Sequence, residues 1–297
     1  MSVLVQTIGF GIAAGAVISL GAVGFTVQFG ISNVLNITYG AFMTLAAYLG
    51  YALLNRGVEV WAALAIVGLA LGVVSVLFNR VFLSPLRRRG AGFVAVVIGT
   101  VAAGIILQGL IVIAVGPQAI SYGPQFGQTV TALGFTFTAA QLIIIGMTVA
   151  LMLAFHLLLT RTKIGRAMRA TSTNRTVARA CGIRTERIID LSWLLTGFLC
   201  GAAGVALAVT TVTFDFNIGS TFLIYMIAAS VLGGIAQPYG AMIGGIVVGI
   251  ASQIGAAYWS PSYQDVVAFA ILIGMLLIRP RGLFVGAGVA RRGLSAG

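Results

Sequence analysis

The densest group of chemically capable side chains in this sequence is a basic run at about residues 160–190. This loop contains eight of the 17 lysines and arginines, against only two acidic residues, Glu186 and Asp190. Clustered guanidinium groups can bind carboxylates or phosphates, and therefore an acidic protein surface or anionic lipid headgroups. We interpret the run as a docking loop, because long apolar segments flank it on both sides.

A second group of polar side chains lies inside the apolar segments and is uncharged. Four of its members cluster in one interrupted stretch, residues 28–40, with the sequence QFGISNVLNITYG. The candidates for lining a solute pathway are Asn33, Asn36, Thr38, Tyr39 and Gln108. Neutral polar groups at membrane depth also form ordinary helix–helix hydrogen bonds, which is the alternative interpretation of each of them.

Residues for covalent or redox chemistry are not grouped anywhere in the sequence. The two cysteines, Cys181 and Cys200, are too few for a disulfide framework or a zinc site, and His156 is the single histidine. There is no phosphate-binding glycine loop, and no ionisable side chain falls in the middle of an apolar segment. We therefore expect no catalytic residue, no cofactor and no metal site in this chain.

The elements that must position these groups are apolar helices. The chain has 297 residues, of which 60% are hydrophobic and 7% charged, and its mean hydropathy is +1.10. Soluble domains carry about a quarter charged residues, and apolar runs of about 20 residues cross a bilayer as helices. The sequence predicts an all-α, polytopic integral membrane protein with one transmembrane domain over residues 1–297. Glycines spaced four residues apart, such as Gly197 and Gly201, predict close helix contacts.

Nine apolar segments are separated by turn-forming residues. They lie at about 6–27, 34–54, 60–83, 92–115, 139–159, 189–212, 220–235, 240–258 and 266–279. The stretch 28–40 is either a turn or a broken, re-entrant helix, and irregular backbone survives at membrane depth only where it faces protein or water. Nine spans place the N-terminus outside and eight place it inside, so we expect eight or nine spans.

The distribution of charge predicts the orientation. If Arg87–Arg89 lie inside, the helix alternation places 16 of the 17 basic residues inside (17 minus Arg56). The acidic residues Glu59, Asp215 and Asp265 then fall outside. Because cytoplasmic loops of membrane proteins accumulate lysine and arginine, the net charge of +12 does not indicate a nucleic-acid partner.

A short helix is predicted within the docking loop, from Thr173 to Cys181. Thr173 or Asn174 is a suitable N-cap, and Gly182 follows where helices often end in a left-handed residue. One face carries three small or apolar residues: Val177, Ala180 and Cys181. Such a helix, flanked by arginines, fits a groove on a cytoplasmic partner. The alternative is a helix that lies on the membrane and binds anionic lipid.

Three segments of the chain are similar to one known family. They are GRAMRATSTNRTVARACGIRTER at 165–187, VLGGIAQPYGAMIGGIVVGI at 231–250, and the stretch 263–286. They resemble the permease subunits of branched-chain amino-acid ABC importers, whose loop contains G-R-A-x-R-A followed by G-[IV]-[NR]-T-[DE]-R. The similarity covers most of the chain. One departure is Asn36-Ile37-Thr38-Tyr39-Gly40, where the family often has Asn-Phe-Ala-His-Gly.

The resemblance implies a permease subunit that carries branched-chain, or similar small neutral, amino acids across the cytoplasmic (inner) membrane of a prokaryote. It implies a pathway shared with a second permease subunit, identical or paralogous, together with two cytoplasmic ATPase subunits and an extracytoplasmic solute-binding protein. ATP hydrolysis is then expected in the partner ATPase subunits. The expected ATPase-coupling residues are Arg175, Val177, Arg179, Cys181, Gly182 and Arg184, and the arginines also anchor the loop at membrane lipid.

Two other functions remain open from the residues alone. A stand-alone channel or facilitator for a small neutral solute, such as urea or a short amide, needs neither a partner nor ATP. A membrane scaffold would carry no solute at all. Dependence of uptake on ATP separates the importer from the channel.

Overall fold

The structure, a computed structural model, describes residues 3–121, 129–132, 135–211, 213–235, 237–258, 260–279 and 282–283. Its helices are α1 (Val3–Ser32), α2 (Thr38–Leu54), α3 (Val60–Phe78), α4 (Ser84–Arg88), α5 (Phe93–Val115), α6 (Ala139–Arg161), α7 (Lys163–Thr173), α8 (Arg175–Ala180), α9 (Thr185–Thr211), α10 (Ile218–Gly233), α11 (Pro238–Tyr258) and α12 (Tyr263–Ile278). A π-helical turn, Asn79–Leu83, joins α3 to α4. Each of the nine predicted apolar segments is a helix, so the all-α membrane fold is confirmed.

Six of these helices are long and apolar enough to cross a membrane: α1, α3 with its π turn, α5, α6, α9 and α11. The apolar helices α2, α10 and α12 are shorter, with 17, 16 and 16 residues. Helix α2 is short because the chain between α1 and α2 is non-helical. This gap confirms the break expected within residues 28–40.

Contacts between loops define one end of the bundle, which we call the basic end. A guanidinium N–H of Arg87 donates to the carbonyl oxygen of Ser32 at the end of α1, over 3.4 Å. Arg80, in the π turn, forms a salt bridge of 2.8 Å with Asp190 in the first turns of α9. The docking loop between α6 and α9 lies at this same end, as the charge distribution predicts. The positive-inside rule predicts that this is the cytoplasmic end.

The opposite, outer end carries the short strands. Strand β1 (Ile120–Ser121) pairs antiparallel with β4 (Thr213–Phe214), and β2 (Thr129–Ala132) pairs with β3 (Phe135–Thr138). The phenol of Tyr225 donates to Asp265 over 2.6 Å, which ties the outer half of α10 to the start of α12. Of the basic residues that the structure describes, only Arg56 belongs to this end.

Small residues allow the helices to approach closely, as the glycine spacing predicts. Helix α3 packs along α9, and α1 packs along α11. A β-carbon added at Gly201 would lie 2.9 Å from the Cα of Gly68 and 3.0 Å from the carbonyl oxygen of Val67. Real β-carbons do not make contacts as short as the first of these. The two helix backbones therefore touch where only glycine fits.

Candidate coupling site and solute pathway

The docking loop contains the short helix that the sequence predicts, α8. The side chain of Asn174 caps it by accepting from the backbone N–H groups of Thr176 and Val177, at 3.0 and 3.1 Å. At the other end, Gly182 has φ +81° and Ile183 N–H donates to the carbonyl of Ala178 over 3.0 Å. This is the Schellman arrangement, in which a left-handed residue closes the helix.

Helix α8 buries one residue and exposes an apolar face. Ala178 is buried against the bundle, whereas Val177 is 56% exposed and Ala180 and Cys181 are exposed beside it. Burying a valine-sized side chain stabilises a protein by about 1.5–3 kcal/mol. The exposed Val177 does not contribute this free energy in the single chain. The three residues that their spacing groups on one face therefore form a small apolar surface that no described residue covers.

Two arginines hold α8 in place. Arg175 forms a 2.9 Å salt bridge with Glu186 in the first turn of α9, and Arg179 reaches the same carboxylate at 3.4 Å. Arg179 also donates to the hydroxyl of Thr185 at 3.3 Å. Exposed ion pairs contribute little singly, roughly 0–1 kcal/mol, but a shared carboxylate fixes orientation. Arg175 and Arg179 thus point towards α9, and Arg184 is exposed at the start of that helix.

A second helix in the docking loop, α7, was not predicted from the sequence. The hydroxyl of Thr162 caps it by accepting from the N–H of Gly165 at 3.0 Å. Its residues Gly165, Met168 and Thr171 are buried against the bundle, while Arg166 and Arg169 are exposed. The three-residue spacing of the buried positions was the signal that could have revealed it.

A polar network runs from α9 to the end of α1. Asp190 accepts from Asn79 at 3.1 Å and from the Nε of Arg80 at 2.9 Å. Asn79 in turn accepts from Arg87 at 2.8 Å, and Arg87 contacts the Ser32 carbonyl. The π turn supplies Asn79 and Arg80, and such turns are frequent at functional sites. Sequence reasoning missed this network because its partners lie about 110 positions apart.

The break between α1 and α2 begins at Asn33, the one described non-glycine residue with positive φ, at 52°. Asn33 is exposed, whereas Asn36 is completely buried and donates to the Gln28 side chain over 3.4 Å. Asn36 Oδ1 and Gln28 Nε2 are both buried, and neither has a partner among the described residues. Buried polar atoms without partners are costly, about 1–3 kcal/mol each.

The other candidate pathway residues hold neighbouring helices together. Thr38 donates to the Thr100 carbonyl at 2.5 Å, which joins the start of α2 to the second turn of α5. Tyr39 is 1% exposed, and its hydroxyl lies 3.2 Å from the Gly21 carbonyl. Gln108 donates to the Ser220 hydroxyl at 2.6 Å near the outer end. Asn36, Thr38 and Tyr39 are thus brought together, while Gln108 lies apart.

The described residues contain no group of three or more histidine, cysteine or acidic side chains suited to a metal ion. Cys181 is exposed and Cys200 is buried, and neither is in a disulfide.

Comparison with known proteins gives a consistent result. The family described as "Branched-chain amino acid transport system / permease component" matches residues 7–276. The high-affinity branched-chain amino acid transport system permease protein LivH of Escherichia coli (strain K12) is 30% identical over 287 residues, 92% of this chain and 92% of LivH. The corresponding protein BraD of Pseudomonas aeruginosa is 28% identical over 291 residues, 92% of this chain and 93% of BraD.

Solved structures support the fold. A chain of PsaBC from Streptococcus pneumoniae, solved in complex with Fab, superposes with a TM-score of 0.52 over 94% of this chain and 93% of that chain. At 16% identity this likeness concerns the fold alone. Since the family match extends over nearly the whole helical bundle, this multi-pass membrane protein belongs to the family of branched-chain amino acid transport permease components.

Proposed function

We propose that the chain is the membrane-spanning permease subunit of an ATP-driven importer of branched-chain amino acids in the cytoplasmic membrane of a prokaryote. It works with a second permease subunit, two cytoplasmic ATPase subunits and an extracytoplasmic solute-binding protein. The family match and the similarity to LivH and BraD support this assignment. The chain itself binds no nucleotide, and hydrolysis takes place in the ATPase subunits.

The observation that carries the proposal is the uncovered apolar face of α8. Val177 is exposed at the basic end, on a helix whose two ends are both closed by hydrogen bonds. A rigid helix with a small apolar face and arginines beside it suits a groove on an ATPase subunit. Helix α8 is therefore the docking element, and Arg175 and Arg179 serve it by fixing its angle to α9.

The polar network supplies a route from α8 to the pathway. Glu186, which holds α8, and Asp190 lie four residues apart and so on one face of α9. Asp190 holds the π turn through Arg80, and Arg87 links that turn to the Ser32 carbonyl beside the break. When the ATPase subunits close and displace α8, this chain of contacts moves the end of α1. The movement shifts Asn36 and opens or closes the pathway.

The pathway itself is proposed to run beside the break, between two permease subunits. Asn33, Asn36, Thr38, Tyr39 and Gln108 remain its candidate residues. The two unpartnered buried atoms of Gln28 and Asn36 support this, because a conformational change would allow them to pair with the solute or with water. A branched apolar side chain suits a path that carries neutral polar groups and no buried charge.

Charge placed on α8 tests the docking assignment. Val177→Glu puts a carboxylate in the apolar face, and Ile164→Glu is a matched control because Ile164 is exposed by 41% on α7 at the same end. We expect Val177→Glu to abolish co-purification of the ATPase subunits and leucine uptake. Ile164→Glu should preserve both.

Two outcomes would contradict the proposal. Full uptake by Val177→Glu would exclude α8 as the docking element. Equal losses in both variants would assign docking to the loop as a whole. Thermal unfolding of each purified variant shows that a loss does not come from misfolding.

A further inference from the structure

The outer half of the bundle contains a cavity that the docking and pathway residues do not use. It has a volume of about 500 Å3 and lies among α1, α9, α10, α11 and α12, beneath β4. We call it the outer cavity. None of the five candidate pathway residues lines it.

Two carboxylates line the outer cavity. Asp265 accepts from the Tyr225 hydroxyl through Oδ1, and Asp215 accepts from the Asn217 N–H through Oδ1 at 3.1 Å. Both aspartates are exposed, so their carboxylates are accessible from the outer end. None of the described lining residues is basic. The cavity therefore favours a positively charged group.

A second observation independently indicates a ligand. Ser252 also lines the outer cavity, is only 4% exposed, and its hydroxyl has no hydrogen-bond partner among the described residues. A buried hydroxyl without a partner is unfavourable, by about 1–3 kcal/mol in general. Gln253 lines the cavity next to it and accepts from Gln264, so its own amide N–H groups remain available. Hydroxyl and amide N–H groups are donors suited to a carboxylate.

Apolar side chains complete the lining. Ile18, Leu207 and Phe222 come from three different helices. A site with acidic acceptors, neutral donors and an apolar wall matches the three parts of one class of molecule. These are an ammonium group, a carboxylate and an aliphatic side chain.

We propose that the outer cavity binds a free, zwitterionic amino acid with an apolar side chain. Asp215 and Asp265 accept from its ammonium group, Ser252 and Gln253 donate to its carboxylate, and the aliphatic side chain contacts the apolar wall. This rests on the proposed function for the identity of the amino acid. The site lets the permease sense unbound solute at its outer end without help from the binding protein.

Equilibrium binding of radiolabelled leucine to the purified permease–ATPase complex in nanodiscs, without binding protein or ATP, tests the proposal. We expect saturable binding that isoamylamine, which keeps the ammonium group, displaces and that 4-methylpentanoate, which lacks it, does not. Asp265→Asn should weaken binding about tenfold or more, as expected on loss of a charge-assisted hydrogen bond. Ser252→Ala should weaken binding less, because it removes one neutral donor and leaves the charge of the cavity unchanged. Glu59 is an acidic residue of the outer end that does not line the cavity. The Glu59→Gln complex should therefore bind leucine as the unmodified complex does.

The results separate this inference from the importer assignment. Absence of saturable binding, or unchanged binding by both Asp265→Asn and Asp215→Asn, would overturn the outer site even if ATP-driven leucine uptake were normal. Displacement by 4-methylpentanoate and not by isoamylamine would overturn it as well. Absence of ATP-driven uptake by the unmodified complex would instead refute the proposed function. Retained thermal stability of each variant excludes unfolding as the cause of lost binding.

Discussion

Replacing Gly182 by valine perturbs one backbone conformation without a steric clash. Gly182 has φ +81°, and a β-carbon added there would meet no atom within 4 Å. The left-handed conformation costs a residue with a β-carbon roughly 1–2 kcal/mol. That free energy corresponds to a factor of about 5–30 in the ratio of the closed to the opened C-cap. The Ile183–Ala178 hydrogen bond is the contact that is lost, and Val177 would then change its angle to the proposed ATPase subunit.

The assay is ATP hydrolysis by the reconstituted complex, stimulated by leucine-loaded binding protein. We expect Gly182→Val to reduce the stimulation by about 5- to 30-fold, in line with the shift of the C-cap equilibrium. Gly182→Asn should lose less, because asparagine tolerates the left-handed region better. Membrane insertion and subunit assembly should persist.

The chain offers a matched control for this substitution. Gly57 has the same φ, +81°, and equally open surroundings, but it lies at the outer end. Gly57→Val should therefore carry a similar conformational cost and keep the stimulation. Full stimulation in Gly182→Val would refute the coupling role of α8. A lipid-anchoring role would be indicated if charge removal at Arg175 and Arg179 mattered while Gly182→Val did not.

Three further predictions concern other parts of the chain. In a Cys181→Ser background, a membrane-impermeant maleimide should label Ser172→Cys, an exposed position on α7, only in inside-out vesicles, and labelling in intact cells would reverse the orientation. Asn36→Leu should abolish uptake without loss of expression or assembly, and unchanged uptake would assign Asn36 to packing. Gly201→Leu should lower the thermal stability of the purified protein, because a β-carbon there lies 3.0 Å from the Val67 carbonyl oxygen. Unchanged unfolding temperature would show that α3 and α9 separate easily.

Much of the fold follows from composition and spacing. The apolar segments predict nine helices to within a few residues, since a bilayer requires long helices and turns require residues such as glycine, proline and asparagine. Helix α8 is also predictable, because Asn174 and Gly182 mark its ends by local chemistry. The exposure of Val177, Ala180 and Cys181 agrees with the face that their spacing predicts.

The remaining features depend on contacts between distant segments. Nothing local to Arg80 indicates that it pairs with Asp190, and nothing local to Arg175 and Arg179 indicates that both turn towards Glu186. The apolar helices are hydrophobic on all sides, so their sequences do not reveal which face meets protein. For the same reason the outer cavity could not be predicted, because its lining comes from five helices that meet only in the folded chain.

The measurement that tests the central claim most directly is leucine uptake into proteoliposomes that contain the permease, its ATPase subunits and the binding protein. ATP is enclosed on the side of the docking loop in one sample, and a non-hydrolysable analogue in the other. We predict that leucine accumulates above its external concentration only with ATP. Equal, non-accumulating entry in both samples would show a channel and contradict the assignment as an importer subunit.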